Sequence, residues 1–325
     1  MKQLEISDYR KVNESYHWRL IYHAGIDCGF FVELNYMINA MLYCLAKGYR
    51  FQLYSEDANF GTGKGWTEYF QPFCEEVHEP FHHKYNLRRQ SIWRRILAHW
   101  QAFRTYGEYV RLSQDVAHEP DKFYHIPALG ISCSYTEAYA MLARIIWQPQ
   151  PEVQQKMKDA RHRLSLPEIY SGVQIWEGNN ATGSRLISGW QIIQALHPQD
   201  GECIFALADN YQQLEIVRNE FQKLRIVSLC QPHETGYHHQ AYEHLSPQEK
   251  KESIVRLLIS VDILLQCCAF VGTITSGPSV FLLKVRADDP CVTAIDCPRD
   301  MLPDCLTLNI DERAAISRRF VVRLT

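Results

Sequence analysis

The chain has 325 residues, 46% of them apolar, with 34 basic side chains against 37 acidic ones. That length sets a prior of two domains, and the near balance of charge gives no footprint for nucleic acid or an anionic membrane, so an anionic ligand has to be held by a local site. The first residues, Met1-Lys2-Gln3-Leu4-Glu5, lack the apolar core of a signal peptide, and the longest apolar run, residues 254–268, is interrupted by Arg256 and Asp262. The expectation is a soluble, cytoplasmic chain with no transmembrane segment.

Residues 19–23 form a short apolar run ending at Gly25, followed by helical spacing over residues 33–47 that Gly48 closes. Residues 49–54 then alternate large and polar side chains as a strand does, so the opening reads as a β-α-β unit with a parallel sheet. Beyond it comes Ser55-Glu56-Asp57-Ala58-Asn59-Phe60-Gly61-Thr62-Gly63-Lys64-Gly65-Trp66-Thr67-Glu68-Tyr69-Phe70-Gln71-Pro72. Gly61, Gly63 and Gly65 let a backbone pass close to a ligand, and equally make a mobile turn. Helices are expected over residues 90–110, with Trp93, Ile96, Leu97 and Trp100 on one face, and over residues 136–147. Gln148-Pro149-Gln150-Pro151 is the best break in the chain, because two prolines at alternate positions suit neither helix nor central strand. A helix over residues 152–164 leads on from it, and we divide the chain into domains 1–165 and 166–325.

From Ser171 the rhythm is strand and helix in turn. Strands are expected over residues 172–176, 203–208, 225–229, 270–274 and 291–295, and helices over 187–196, 212–224, 248–267 and 279–285. Such alternation marks a doubly wound parallel sheet, whose ligands sit at the carboxyl ends of the strands. Thr275-Ser276-Gly277-Pro278 ends one strand and opens a helix, which puts hydroxyls, backbone N–H groups and a positive dipole end together, fit for a diphosphate and fit equally for a plain N-cap. Asp209, after the strand Phe205-Ala206-Leu207-Ala208, is placed to accept from a ribose or to cap the helix starting at Gln212.

Other patterns point away from chemistry. The eleven cysteines sit mostly in apolar stretches, as Cys44, Cys203 and Cys267-Cys268 do, with no CxxC pair, and read as reduced core residues. The histidines at 82–83, 233, 238–239 and 244 lack an established metal-ligand spacing, and the group at 233–239 reads as a polar loop. Neither a G-x-S-x-G elbow nor a P-loop is present, and Arg88, Arg89, Arg94 and Arg95 read as a solvated helix face. The sequons at Asn13 and Asn180 read as chance matches.

The Ser55–Pro72 segment, with its W-x-x-x-F-x-P end, resembles the α-1,6-fucosyltransferase family, and so do Phe205-Ala206-Leu207-Ala208-Asp209-Asn210 and Val271-Gly272-Thr273-Ile274-Thr275-Ser276. The resemblance implies an α/β, GT-B-like architecture of two facing Rossmann-like domains with parallel sheets, the first on the acceptor side and the second binding the nucleotide sugar. It further implies a guanosine-diphosphate sugar donor, a glycan acceptor, inverting transfer, and neither metal nor cofactor. In the family the strand at 172–176 leads into H-x-R-R, whose arginines neutralise the departing diphosphate; here the aligned residues are Gln174, Ile175, Trp176 and Glu177. A family tyrosine that holds the donor phosphates is here Phe60, and an ungapped match puts Ser184 where the family carries a carboxylate. Candidate donor-binding positions are therefore Gln174, Asp209, Thr275, Ser276, Phe60 and Gly63. Candidate catalytic residues are Arg185, as a replacement clamp, and Glu177, as general base toward an acceptor hydroxyl. For both, a solvated loop position is the plainer reading. The competing reading of the whole chain is a catalytically silent relative that binds a glycan or a protein.

Overall fold

The computed structural model describes residues 4–25, 28–84, 123–176 and 187–321. The chain forms two compact units, Met1–Pro151 with Ser246–Lys251, and Glu152–Leu245 with Glu252–Thr325. The chain first parts at the end of the proline break, so the helix Pro151–Arg163 falls almost entirely in the second unit.

In the first unit, β1 (Trp18–His23) and β2 (Tyr49–Tyr54) pair in parallel, Trp18 opposite Tyr49 and His23 opposite Tyr54. The crossover is the helix Phe30–Lys47, which begins three residues earlier than its periodicity indicates because the Val32 and Glu33 amides bond the Gly29 carbonyl. Its buried Leu34, Met37, Ile38, Met41 and Leu45 supply the core side expected of a crossover helix. Glu33 is buried among polar partners, its carboxylate accepting from the Gly25 amide at 3.0 Å and from the Tyr22 hydroxyl. A helix the periodicity did not pick out, Ile6–Ser15, is tied to β2 by Asn13, whose side chain donates to the Phe51 carbonyl at 2.9 Å and accepts from the Phe51 amide at 2.7 Å. Asn13 is 1% exposed, its side-chain amide committed to Phe51.

A hairpin was also missed: β3 (Phe123–Ile126) and β4 (Ile131–Ser134) pair antiparallel around Gly130. Four-residue strands carry too few alternations to be read by period. Ser134 then caps the helix Tyr135–Ile146 in a capping box with Glu137. The expected helix over residues 90–110 and the basic run at 88–95 lie outside the described residues.

The second unit holds a sheet of β5 (Ser171–Ile175), β6 (Cys203–Ala208), β7 (Arg225–Val227), β8 (Ala269–Gly272) and β9 (Val292–Ala294). All pairs are parallel, in the order β7-β6-β5-β8-β9. Val173, Ile175, Ile204, Ala206 and Val271 make one core with Ile192, Ile193, Leu214 and Val217 from the crossover helices. That is why these strands read as continuous apolar runs and not as alternating ones. From β5 the chain builds outward to β6 and β7, then returns to the other side of β5 for β8 and β9. The gap between the carboxyl ends of β5 and β8 is therefore the topological switch point, where open α/β sheets hold their ligands. Among the described residues, no helix is long and apolar enough to cross a membrane.

Candidate functional site

At the switch point, Gln174 of β5 is 5% exposed, and its amide nitrogen donates to the Ser276 hydroxyl at 2.5 Å. Its amide oxygen accepts from the hydroxyl of Ser279, which is fully buried. A glutamine on one strand thus satisfies two serines on the turn and first helical turn that follow a neighbouring strand. Burying an amide is costly unless both its ends are matched, so this knot fixes the turn in one arrangement. Gly272, the last residue of β8, permits the close fit: a Cβ there would meet Ser279 Oγ at 2.3 Å.

The helix Gly277–Val285 begins after Ser276 with Pro278 in its first turn. Ser276 has cap backbone geometry, yet its hydroxyl makes no bond to the first-turn amides and serves Gln174 as acceptor. A plain side-chain cap is therefore not what this serine provides. Thr275 is half-buried beside it, its hydroxyl donating to Thr273 Oγ1 at 3.4 Å. Beneath the turn, Asp296 is wholly buried and accepts from the Ile274 amide at 2.9 Å. Burial pushes its carboxyl up to about 6, against the smaller opposing pull of the Ile274 amide, Ser317 and Arg313. Lys284, farther along the helix, is also buried, and desolvation with the Arg313 charge brings its amine well below the usual range. Asp296 went unnoticed in the sequence, although a carboxylate closing the run Val292-Thr293-Ala294-Ile295 at a parallel strand's end was the available signal.

Asp209 stands at the end of β6, half-buried. The helix Tyr211–Glu220 is capped by its neighbour: Asn210 Oδ1 accepts from the Gln212 amide at 2.9 Å and the Gln213 amide at 3.4 Å. Asp209 instead accepts from the Tyr237 amide at 3.0 Å through its carboxylate and from the Gly236 amide at 2.8 Å through its carbonyl. Glu234 adds an ion pair to Arg256 and accepts from the Gln231 amide at 2.7 Å. The loop carrying His233 and His238 is thereby laced to the carboxyl end of β6 with both histidines exposed.

The glycine loop lies in the first unit and is closed on itself. Glu68 Oε1 accepts from the amides of Thr62, Lys64 and Gly65 at 2.6, 2.7 and 3.1 Å, and Oε2 from the Thr62 hydroxyl at 2.7 Å. The converging amides that would suit an anion hold the chain's own carboxylate. Gly65 is required there: it has φ +61°, and a Cβ would sit 2.2 Å from the Ser55 carbonyl oxygen. Trp66 and Phe70 stack at 4.4 Å, so the W-x-x-x-F spacing is read in the structure as a packed aromatic pair. Phe60 is 4% exposed, its ring edge-on to Phe30 at 5.0 Å, which makes it a core residue and not a surface for phosphate. Gly63 sits at the exposed part of the loop with φ +135°.

The tandem histidines divide their work. His82 Nδ1 lies 3.1 Å from His23 Nε2 and its Nε2 3.2 Å from Glu79, while His83 Nδ1 lies 2.9 Å from Asp57, which also accepts from the Tyr54 hydroxyl at 2.8 Å. These contacts pin the helix Pro80–Lys84 to the carboxyl ends of β1 and β2. Burial, then the neighbouring His82, takes the His23 imidazole down to about 3. Among the described residues, no three His, Cys, Asp or Glu side chains are placed to share a metal ion.

Of the candidate residues, the structure joins Gln174 to Ser276, sets Thr275 alongside, and places Asp209 at the end of the adjoining strand; Phe60 and Gly63 belong to the first unit. Glu177 and Arg185 lie outside the described residues, just beyond Trp176.

No protein-family model and no curated protein matches the sequence. Solved structures do match in fold. A NodZ α-1,6-fucosyltransferase soaked with GDP-fucose superposes with a TM-score of 0.56 at 14% identity, over 87% of this chain and 97% of that one. Selenomethionine fucosyltransferase NodZ from Bradyrhizobium gives 0.53 at 14% identity, over 86% and 95%. A mutant of Arabidopsis thaliana FUT1 in complex with GDP gives 0.53 at 11% identity, over 90% and 75%. The chain thus has the α/β, GT-B-like fold that these structures have.

Proposed function

We propose that this chain is a glycosyltransferase that moves a fucose-like sugar from a guanosine-diphosphate donor to a glycan hydroxyl. The observation that carries the reading is the buried Gln174–Ser276–Ser279 knot at the switch point of a sheet shared with enzymes solved with GDP or GDP-fucose. In this reading the second domain, 166–325, takes the donor and the first, 1–165, serves the acceptor. The Thr275 hydroxyl and the amino end of the helix Gly277–Val285 meet the diphosphate. Gln174 holds Ser276 in place for the same contact, and Asp209 accepts from the ribose. Arg185 neutralises the leaving diphosphate, and Glu177 takes the acceptor proton during an inverting displacement that uses no metal.

Calorimetric titration with GDP, UDP and their sugars tests this. GDP binding that Thr275→Val weakens and Arg185→Ala abolishes supports the assignment; no binding of any nucleotide removes it. The second reading, a silent relative that binds a glycan or protein, is favoured by Trp176 and Glu177 standing where the family carries arginines, since a carboxylate there repels the diphosphate. It predicts glycan or partner binding with neither GDP-fucose turnover nor GDP affinity.

A further inference from the structure

The sulfurs of Cys297 and Cys305 lie 3.1 Å apart in the interior of the second unit. Cys297 follows β9, directly after the Asp296 that holds the Ile274 amide, and Cys305 lies on the helix Leu302–Thr307. Both are almost fully buried, at 4% and 1% exposure, so neither side chain is a surface thiol. The Cys297 thiol donates toward Cys305 Sγ, and this bond favours the thiolate at Cys305, bringing it below the usual thiol range while holding Cys297 above it. A disulfide needs its sulfurs about 2.05 Å apart, so closure asks for roughly one ångström of approach between side chains that already face each other.

We propose that Cys297 and Cys305 are a redox-modifiable dithiol, oxidised to an intramolecular disulfide by a small hydroperoxide. The Cys305 thiolate attacks the peroxide oxygen; the O–O bond breaks, and Cys305 becomes a sulfenic acid as hydroxide leaves and takes up a proton as water. Cys297 sulfur then attacks the sulfenic sulfur, forming the S–S bond, and the sulfenic hydroxyl leaves as a second water with the Cys297 proton. Two thiols and one hydrogen peroxide give one disulfide and two waters. Buried sulfurs are reached only by a small oxidant on local opening, and Cys297 at 3.1 Å is in place to resolve the sulfenic acid before it oxidises further. The product staples the exit of β9, and with it Asp296, to the helix Leu302–Thr307. Sequence alone grouped these two with the other core cysteines, because their separation of 8 positions matches no redox motif; the tertiary contact distinguishes them.

The test uses the full chain with hydrogen peroxide, followed by alkylation in denaturant and tryptic mass spectrometry without reductant. Tryptic peptides 287–299 and 300–313 carry the two cysteines, and the first also carries the exposed Cys291. The expected result is one linked species, alkylated only at Cys291 and, apart from that group, lighter than the two reduced peptides by two hydrogens, with loss of the doubly alkylated first peptide and the singly alkylated second. That species persists in Cys291→Ser and is absent in Cys297→Ser. In the wild-type chain, which needs no substitution to fold, oxidation should raise the thermal midpoint and reductant should reverse the shift. Recovery of Cys305 singly alkylated or as a sulfinic acid after peroxide, or a link that runs through Cys291, overturns the proposal.

Discussion

Acidification should destabilise the first unit through His23, and the size of the effect follows from its surroundings. The imidazole is buried beside His82 and Tyr54, and its native value of about 3 lies below the 6.5 of an exposed histidine. The unfolded chain therefore binds a proton that the native chain refuses throughout that window, so stability is full above about 6.5 and falls as the pH drops toward 3. Each pH unit costs about 1.4 kcal/mol; taking a sample from about pH 7.5 to about pH 4.5 crosses roughly two of them, a loss near 2.7 kcal/mol. His23→Gln keeps a hydrogen-bonding amide toward His82 but cannot titrate. Its absolute stability should be lower, because the ring packed on Tyr54 is gone, yet its acid-dependent loss should be smaller than wild type by about that 2.7 kcal/mol. Urea unfolding at the two pH values, followed by tryptophan fluorescence, reads the difference in pH dependence, from which every titrating group out of contact with His23 cancels. Equal pH dependence in the two proteins would refute the argument.

Asp296 works in the opposite sense. Its native value of about 6 exceeds the ordinary 3.8, so its contribution is full below 3.8 and is lost as the pH rises to 6; Asp296→Asn should abolish that loss, of which about 2 kcal/mol falls between the two pH values of the same unfolding measurement. Gly65→Ala should cost at least about 2 kcal/mol, combining a left-handed backbone with a Cβ set against the Ser55 carbonyl, and should appear as a lowered urea midpoint. Gln174→Leu strands the buried hydroxyls of Ser276 and Ser279; we expect a loss of about 2–4 kcal/mol in stability. Calorimetry on that variant should show weaker GDP binding wherever the protein is still folded.

What the sequence determined by itself was the order of elements in the opening β-α-β unit and in the parallel sheet of the second unit. The apolar run 172–176, the glycine after Lys47 and the alternation from Ser171 onward each depend on neighbours within a few residues, and so does the proline break at which the two units first part. These are local signals because helix and strand periods are local. The site needed the tertiary structure. Gln174 and Ser276 are partners across 102 positions, and no spacing rule connects a strand glutamine to a serine on the turn beyond another strand. The same limit explains why the cap expected of Asp209 falls to Asn210: either suits a cap by residue type, and only the placement of Tyr237 gave Asp209 another donor. It also explains Phe60 and the glycine loop, which family resemblance reads as ligand-facing. Packing against Phe30 removed the ring from solvent, and the Glu68 carboxylate took up the amides left to an anion. Buried polar groups must find partners somewhere, and which partner each one finds is decided by the folded chain and not by its neighbours in sequence.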